Sequence, residues 1–496
     1  MKKIKSLLQP LLSNDFLWFT LVSVFIFLML LPHSTAEHCN VDEGIYLTCI
    51  KDMLTGGTLY KTTWEHKGPG IFYLYLPAVW AFDNNLFLIR LYHNLVLILS
   101  MFFVYHSTRF FLRNRFSLIP PLAYGLFFLN KNFQGKCING EPAMMFMVSV
   151  ASFFFLKYYL RSQAAGDLGL CAVFSAAAIL TKPTSLFTVL AFPATVFTAG
   201  LSFGDWKNKK LLRDLVFFAS VVGVVFLLTL IHYFLEETLW EFLDAFYYVN
   251  QQYQGQTRFL LKLRRATDYY LNSLSADPAV FFGTLAFIHC LFSPLNKLSE
   301  KKMRVFLLNL FVFSYLGFNW GGRMYPHYFL QMGLSLSLLT GFMLYQLNPS
   351  NVDSKKIFAA LFFVLILASN IPKTWETFLR NHDRMGEGYL HQLSGYVAEE
   401  TRPGDRIFVG NRFPLIYFLS DRKPATKYFF ISWHQGVRRE IINPQNQTFS
   451  DFQKHKPTLI VWMRNTKTYL NPYINENYFL EERSRNNNIL RLNNSS

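Results

Sequence analysis

The stretch Val41-Asp42-Glu43-Gly44-Ile45-Tyr46, continued by Gly56-Gly57-Thr58-Leu59-Tyr60 and Trp64-Glu65-His66-Lys67-Gly68-Pro69-Gly70, decides how this chain is read. It follows directly on one apolar run, Phe16 to Leu31, and precedes a long series of others. A carboxylate pair, a His-Lys pair and several turn residues therefore stand just outside the first membrane-length segment. That segment is preceded by Lys2, Lys3 and Lys5, as in a signal peptide. It is too long for a signal core and lacks a small-residue cleavage site, so it predicts a retained helix.

Composition supports a membrane protein. Of 496 residues, 52% are hydrophobic and 16% charged, and 53 are Phe. Soluble domains carry about 25% charged residues. The shortfall, with long uncharged runs, predicts a polytopic α-helical membrane protein. The net charge of +17 is spread over short loops. That fits the positive-inside bias rather than a nucleic-acid surface, and no nucleic-acid partner is expected.

A window of roughly 20 apolar residues per crossing places about eleven transmembrane helices. They fall near 16–32, 85–107, 116–130, 142–160, 168–181, 184–203, 215–235, 277–293, 305–320, 327–346 and 357–371. Alternate loops hold the basic groups: Arg109, Arg113 and Arg115; Lys157 and Arg161; Lys207, Lys209, Lys210 and Arg213; Lys297, Lys301, Lys302 and Arg304; Lys355 and Lys356. These loops and the N-terminus are assigned to the cytoplasm. The outer loops 33–84, 131–141 and 236–276, the turn 321–326 and the C-terminal tail then face the periplasm. Residues 1–371 read as the transmembrane catalytic domain. Residues 372–496 read as a small periplasmic α/β domain, with a helix over Tyr389–Glu400, a turn at Thr401–Asp405 and strands at 406–410 and 458–462.

The chemistry-bearing residues gather on the outer side. Asp42 and Glu43 lead into an aromatic and Gly-containing segment, Ile45 to Tyr60, that suits short interfacial helices. A lone acid at a membrane face is ordinarily just solvated, but one held in low-dielectric surroundings can act as a general base. His66 and Lys67 precede a Gly-Pro-Gly turn, which lets the backbone approach a ligand closely. Glu141, followed by Pro142, opens the fourth span, with Lys136 nearby. Gly321-Gly322-Arg323-Met324-Tyr325-Pro326-His327-Tyr328-Phe329 joins two spans, and an Arg and a His at membrane depth are costly unless paired. Lys182, in the hairpin between the fifth and sixth spans, reads as a snorkelling lysine. His33, Glu37, His38 and Cys39 have metal-ligand types but match no closed zinc spacing, so no metal or cofactor is assigned. Cys39, Cys49 and Cys137 all fall on the outer side, and one disulfide among them is expected without a choice of pair.

An outward acid after the first span, Lys67-Gly68-Pro69 where many relatives have Lys-Pro-Pro, Arg90 entering the second span and an acid before the fourth together resemble the GT-C glycosyltransferases. Among these, the chain looks most like the bacterial branch of the protein O-mannosyltransferase and lipid A aminoarabinose transferase family. The stretches Gly321 to Phe329 and Pro403 to Gly410 resemble that branch too. The resemblance implies a GT-C membrane enzyme of the inner membrane that works on cell-envelope glycan or lipopolysaccharide. It implies a polyprenyl-phosphate-linked sugar as donor, a lipid, glycan or protein acceptor, and usually inverting transfer. Asp42 is similar to the catalytic base. Glu43 and Glu141 look like acceptor-positioning or second acidic groups. Lys67, with His66 beside it, Arg323 and His327 look like binders of the donor phosphate. The adjacency of Asp42 and Glu43 leaves open which of them is the base.

A transporter or flippase of lipid-linked sugars is the alternative. It calls for ionisable residues at span midpoints and often for a repeated half. Here the ionisable groups stand at the outer ends and no repeat is evident, which favours the enzyme.

Overall fold

The computed structural model describes residues 15–36, 39–130, 132–203, 209–253, 258–347, 376, 388–410, 413–430, 444–463, 469–484 and 487–493. In chain order the principal helices are α1 (Asp15–Ser34), α2 (Val41–Leu54), α3 (Pro69–Phe82), α4 (Leu86–Thr108), α5 (Ile119–Leu129), α6 (Gly140–Lys157), α7 (Ala165–Thr181), α8 (Ser185–Ser202) and α9 (Lys209–Leu235). They continue as α10 (Phe259–Ala276), α11 (Pro278–Phe292), α12 (Leu298–Trp320), α13 (Gly333–Gln346), α14 (Tyr389–Glu399), α15 (Leu415–Ser420) and α16 (Pro444–His455). The strands are β1 (Arg406–Gly410), β2 (Lys423–Pro424), β3 (Leu459–Met463), β4 (Tyr478–Ser484) and β5 (Asn487–Leu492).

Among the described residues, seven helical segments are long and apolar enough to cross a membrane, or eight if the bent pair α10–α11 counts as one. They make this an integral, multi-pass membrane protein. Ten of the eleven predicted spans coincide with a helix. Those near 116–130, 168–181 and 277–293 meet the shorter helices α5, α7 and α11. The eleventh, near 357–371, lies outside the described residues, as do Glu37 and His38.

The segment 236–276, expected as a loop, is largely helical in its described part. Short helical turns over 239–253 are followed by α10. The chain then bends by 113° into α11. Asp277 sets that bend. It is extended, as the residue before a proline prefers, and its carboxylate accepts from the N–H groups of Ala279 and Val280 at 2.8 and 3.2 Å, capping α11.

The chain divides into two compact units. The first comprises residues 1–34, 91–229 and 254–379. In it α6 packs on α7, α8 on α12 and α11 on α13. Close approach needs small residues: a Cβ on Gly283 of α11 would stand 2.6 Å from that of Leu336. Phe155, Phe192 and Phe306 stack at centroid separations of 5.1 and 5.4 Å. By contrast α9 is almost entirely exposed, with Leu212, Val216, Val224, Leu227 and Leu228 all facing outward. An exposed helix of that apolarity belongs in lipid.

The second unit comprises residues 35–90, 230–253 and 380–496. Its sheet has the order β2-β1-β3-β5-β4, with β1 parallel to β2 and β3, and β5 antiparallel to β3 and β4. The predicted strands at 406–410 and 458–462 and the helix from Tyr389 match β1, β3 and α14 within a residue or so. Phe408, Phe452, Ile460, Trp462 and Ile474 form the core beside the sheet. The boundary expected at 371/372 falls outside the described residues.

Within this unit α15 packs on α2. Gly44 makes that contact possible, because a Cβ there would collide with the backbone nitrogen of Leu415 and lie 2.8 Å from its Cα. Thr48 donates its hydroxyl to the Gly44 carbonyl at 2.7 Å and reaches the Pro414 carbonyl at 3.3 Å. Gly44→Val is therefore expected to lower stability by about 1–3 kcal/mol through overpacking. Thermal unfolding of the detergent-purified protein measures this, and an unchanged midpoint would refute the close approach.

Candidate functional site

The first cluster lies in the second unit, at the start of α2. Asn40 caps the helix by accepting from the Glu43 N–H at 2.8 Å. Asp42 and Glu43 occupy the first turn, where the helix dipole favours negative charge. Glu43 is fully buried, and Arg90, near the start of α4, meets it side-on: Nε to Oε1 at 3.0 Å and Nη2 to Oε2 at 2.6 Å. Arg90 also donates to the Ala36 carbonyl. Asp42 is only half-buried, and among the described residues its carboxylate has no hydrogen-bond partner.

The loop before α3 carries a buried triad. The Glu65 carboxylate stands 2.5 Å from His66 Nδ1, and His66 Nε2 lies 2.8 Å from Lys67 Nζ. Lys67 Nζ is also 3.7 Å from Glu65. Burial, then the Lys67 charge, pushes the His66 imidazole below its ordinary range, with Glu65 opposing. Burial would raise the Glu65 carboxyl, but His66 and Lys67 outweigh it and hold it below the usual carboxylate range. His66 is thus neutral at pH 7, donating from Nδ1 to Glu65 and accepting from Lys67 at Nε2. Asp42 is close enough to His66 to act on it electrostatically.

Three contacts fix this loop. Tyr60 donates to the Lys67 carbonyl at 2.7 Å, Asn250 to the His66 carbonyl at 2.8 Å, and the Trp64 N–H to the Lys427 carbonyl at 3.1 Å. Gly68 is extended at φ −67° and ψ 162°, a conformation that proline also adopts.

The second cluster lies in the first unit. Glu141, fully buried in the first turn of α6, pairs with Lys182. His327 Nε2 is 3.8 Å from the same carboxylate, and its Nδ1 lies 3.1 Å from Gln134 Oε1. Lys182 is buried and sits 4.2 Å over the Tyr328 ring. It turns inward to Glu141 rather than snorkelling, because a buried carboxylate is a better partner than a distant water layer. Arg323 is exposed on the turn formed by Gly322 and Met324, both at positive φ. Lys136 lies 3.0 Å from His33 Nδ1. Cys39 and Cys137 are disulfide-bonded, whereas Cys49 is free. Among the described residues, no group of three or more His, Cys, Asp or Glu side chains gathers as a metal site.

Sequence reasoning missed Glu65 as the anion of the triad, Arg90 as the partner of Glu43, and Lys182 as the partner of Glu141. The signal for Glu65 was its place two residues before Lys67 in a turn. The other two pairs join distant segments and left no local signal.

The fold is similar to that of solved structures of the GT-C type. Two solved structures similar to it are of ArnT, a lipid A aminoarabinose transferase, from Cupriavidus metallidurans. The one bound to undecaprenyl phosphate has a TM-score of 0.64 at 14% identity, covering 96% of this chain and 97% of that one. The apo form has a TM-score of 0.62 at 13% identity, covering 96% and 98%. The oligosaccharyltransferase AglB from Archaeoglobus fulgidus, in complex with an inhibitory peptide and a dolichol-phosphate, has a TM-score of 0.53 at 13% identity, covering 90% of this chain and 69% of that one. No family model and no curated protein matches the sequence.

Two outcomes are expected from the charge arrangement. Glu43→Gln strands the Arg90 guanidinium in a buried site, so stability should fall by about 3–5 kcal/mol, while Asp42→Asn leaves it nearly unchanged. Chemical or thermal unfolding of both variants checks this, and equal stabilities would remove the distinction. For pH, a neutral folded His66 with a lowered pKa means that the unfolded state binds more protons below about 6.5. The His66 contribution to stability is complete above that pH and is lost as pH falls below it. Glu65, also lowered, adds to the loss at lower pH still. His66→Asn should therefore flatten the change in unfolding midpoint between pH 7.5 and 5.5.

Proposed function

We propose that this protein is an integral membrane glycosyltransferase that moves a sugar from a polyprenyl-phosphate-linked donor to a lipid, glycan or protein acceptor. Its active groups would face the periplasm from the bacterial inner membrane, with the N-terminus in the cytoplasm. The observation that carries this reading is the correspondence, over 96% of the chain, with a transferase structure bound to undecaprenyl phosphate. The dolichol-phosphate in the AglB complex supports the same donor class.

In this reading Asp42 is the general base. Glu43 is neutralised by Arg90, which leaves Asp42 as the carboxylate of the pair open to an acceptor. The acceptor hydroxyl gives its proton to Asp42 and its oxygen bonds to the anomeric carbon. The bond from that carbon to the donor phosphate breaks, and polyprenyl phosphate leaves with the electron pair. Attack opposite the leaving group inverts the anomeric centre. Lys67, with donors left beyond its His66 contact, stabilises charge on the leaving phosphate. His66 positions Lys67 rather than binding phosphate itself. Arg323 and His327 are assigned to donor-phosphate binding and Glu141 to positioning, with Lys182 setting its charge.

The test follows free polyprenyl phosphate released from a pool of polyprenyl-phosphate sugars by purified protein with a membrane extract. Wild type should release it, and Asp42→Asn should be slower by about 10²–10⁴-fold, the usual contribution of a general base. Full activity in Asp42→Asn would move the base elsewhere. Lys67→Ala and Arg323→Ala should weaken donor binding, and unchanged donor affinity would sink their phosphate role. No release by the wild type, with the lipid still bound, would favour the flippase.

A further inference from the structure

A second polar site stands in the first unit, at the far end of α6 from Glu141. α6 spans 18 residues, about 27 Å at 1.5 Å per residue, which is close to a full hydrocarbon thickness. Beyond it the helix widens into a π turn, Tyr158–Ser162. There, between that turn, α8, α9 and α12, lies a cavity of about 120 Å³. A single water needs roughly 10–15 Å³ of such space, so the cavity is large enough for a phosphate-sized group.

Its lining is polar on one side and apolar on the other. Lys210 from α9, which also donates to Gln163 Oε1, and Lys302 from α12 supply the cations. Lys302 Nζ lies 5.7 Å from the Tyr159 ring centroid. The Tyr159 hydroxyl is buried and has no hydrogen-bond partner among the described residues. The acid of the lining, Asp214, is already engaged by the Tyr158 hydroxyl and by Arg213 at 3.3 Å. Nearby Asp167 is likewise taken by Lys157 at 2.8 Å. The lining thus offers two lysines, one of them already donating to Gln163, and a hydroxyl without a hydrogen-bond partner among the described residues. Val196, Ala199, Phe203 and Leu211 make the other wall. From this pocket α9 runs on as the most exposed apolar helix of the unit, presenting Leu212, Val216 and Val224 to the bilayer.

We propose that this pocket binds the phosphate of an anionic phospholipid of the leaflet opposite Glu141, with its acyl chains lying along α9. The shared chemistry is that of a phosphate monoanion held by two lysines and a hydroxyl, as basic pockets between helices hold lipid head groups. The apolar wall and the bare helix beside it select a lipid over free phosphate. The site stands apart from the transfer chemistry and does not depend on that assignment.

Native mass spectrometry of the full-length protein in detergent tests this, with dioleoyl phosphatidylglycerol, dioleoyl phosphatidylcholine and inorganic phosphate as separate probes. The anionic lipid should bind in preference to the zwitterionic one. Lys210→Gln with Lys302→Gln should weaken it about 30-fold, each lysine contributing roughly fivefold. Tyr159→Phe, which keeps the ring and removes only the hydroxyl, should weaken it several-fold and decides the matter if the double variant does not fold. Equal binding of the two lipids, or undiminished phosphatidylglycerol binding in the folded variants, overturns the proposal. Saturable binding of inorganic phosphate as tight as that of the lipid overturns the lipid assignment.

Discussion

The buried ion pair between Glu43 and Arg90 is the constraint on which the cluster at the start of α2 depends. A carboxylate with no exposed surface costs several kcal/mol unless a cation answers it with good geometry. Arg90 does so with two parallel hydrogen bonds, the arrangement to which a planar guanidinium is suited. The pair fixes the rotation of α2 about its axis, since Glu43 can face only Arg90. Every other side chain on the first turn of that helix is placed as a consequence.

The same rule governs the other buried acids. Glu65 is answered by His66 and Lys67, and Glu141 by Lys182 and His327. In the first of these groups a neutral imidazole stands between carboxylate and ammonium, and each of its nitrogens is committed. Lys67 is thereby held in place by one hydrogen bond while it keeps other donors. That combination, a fixed position with unspent donors, is what binding an anion requires.

Much of this was legible in the sequence. Long uncharged runs gave the spans, because a membrane-crossing helix must be apolar along its length. Arg406–Gly410 and the turn before it gave a strand of the tail, because β-branched and aromatic residues after Pro-Gly-Asp leave few alternatives. The segment 236–276 misled because α10 is amphipathic and basic, so its apolar stripe is too sparse for a hydropathy window. Lys182 misled because a lysine in a hairpin between spans looks the same whether it snorkels or meets a carboxylate 41 positions away. Pairings of that kind arise only when the chain is folded.

The choice between Asp42 and Glu43 shows where sequence reading stops. Two adjacent acids of nearly equal chemistry are indistinguishable along a line. On a helix they differ by about 100°, and the fold converts that angle into chemistry. Gly44 adds a third direction: it faces the backbone of Leu415 and admits no side chain. Three consecutive residues thus divide among a buried cation, a packed backbone and a half-buried position. With Glu43 held by Arg90 and Gly44 closed by α15, Asp42 is the position of the three whose side chain stays partly accessible, which is why the proposed base is placed there.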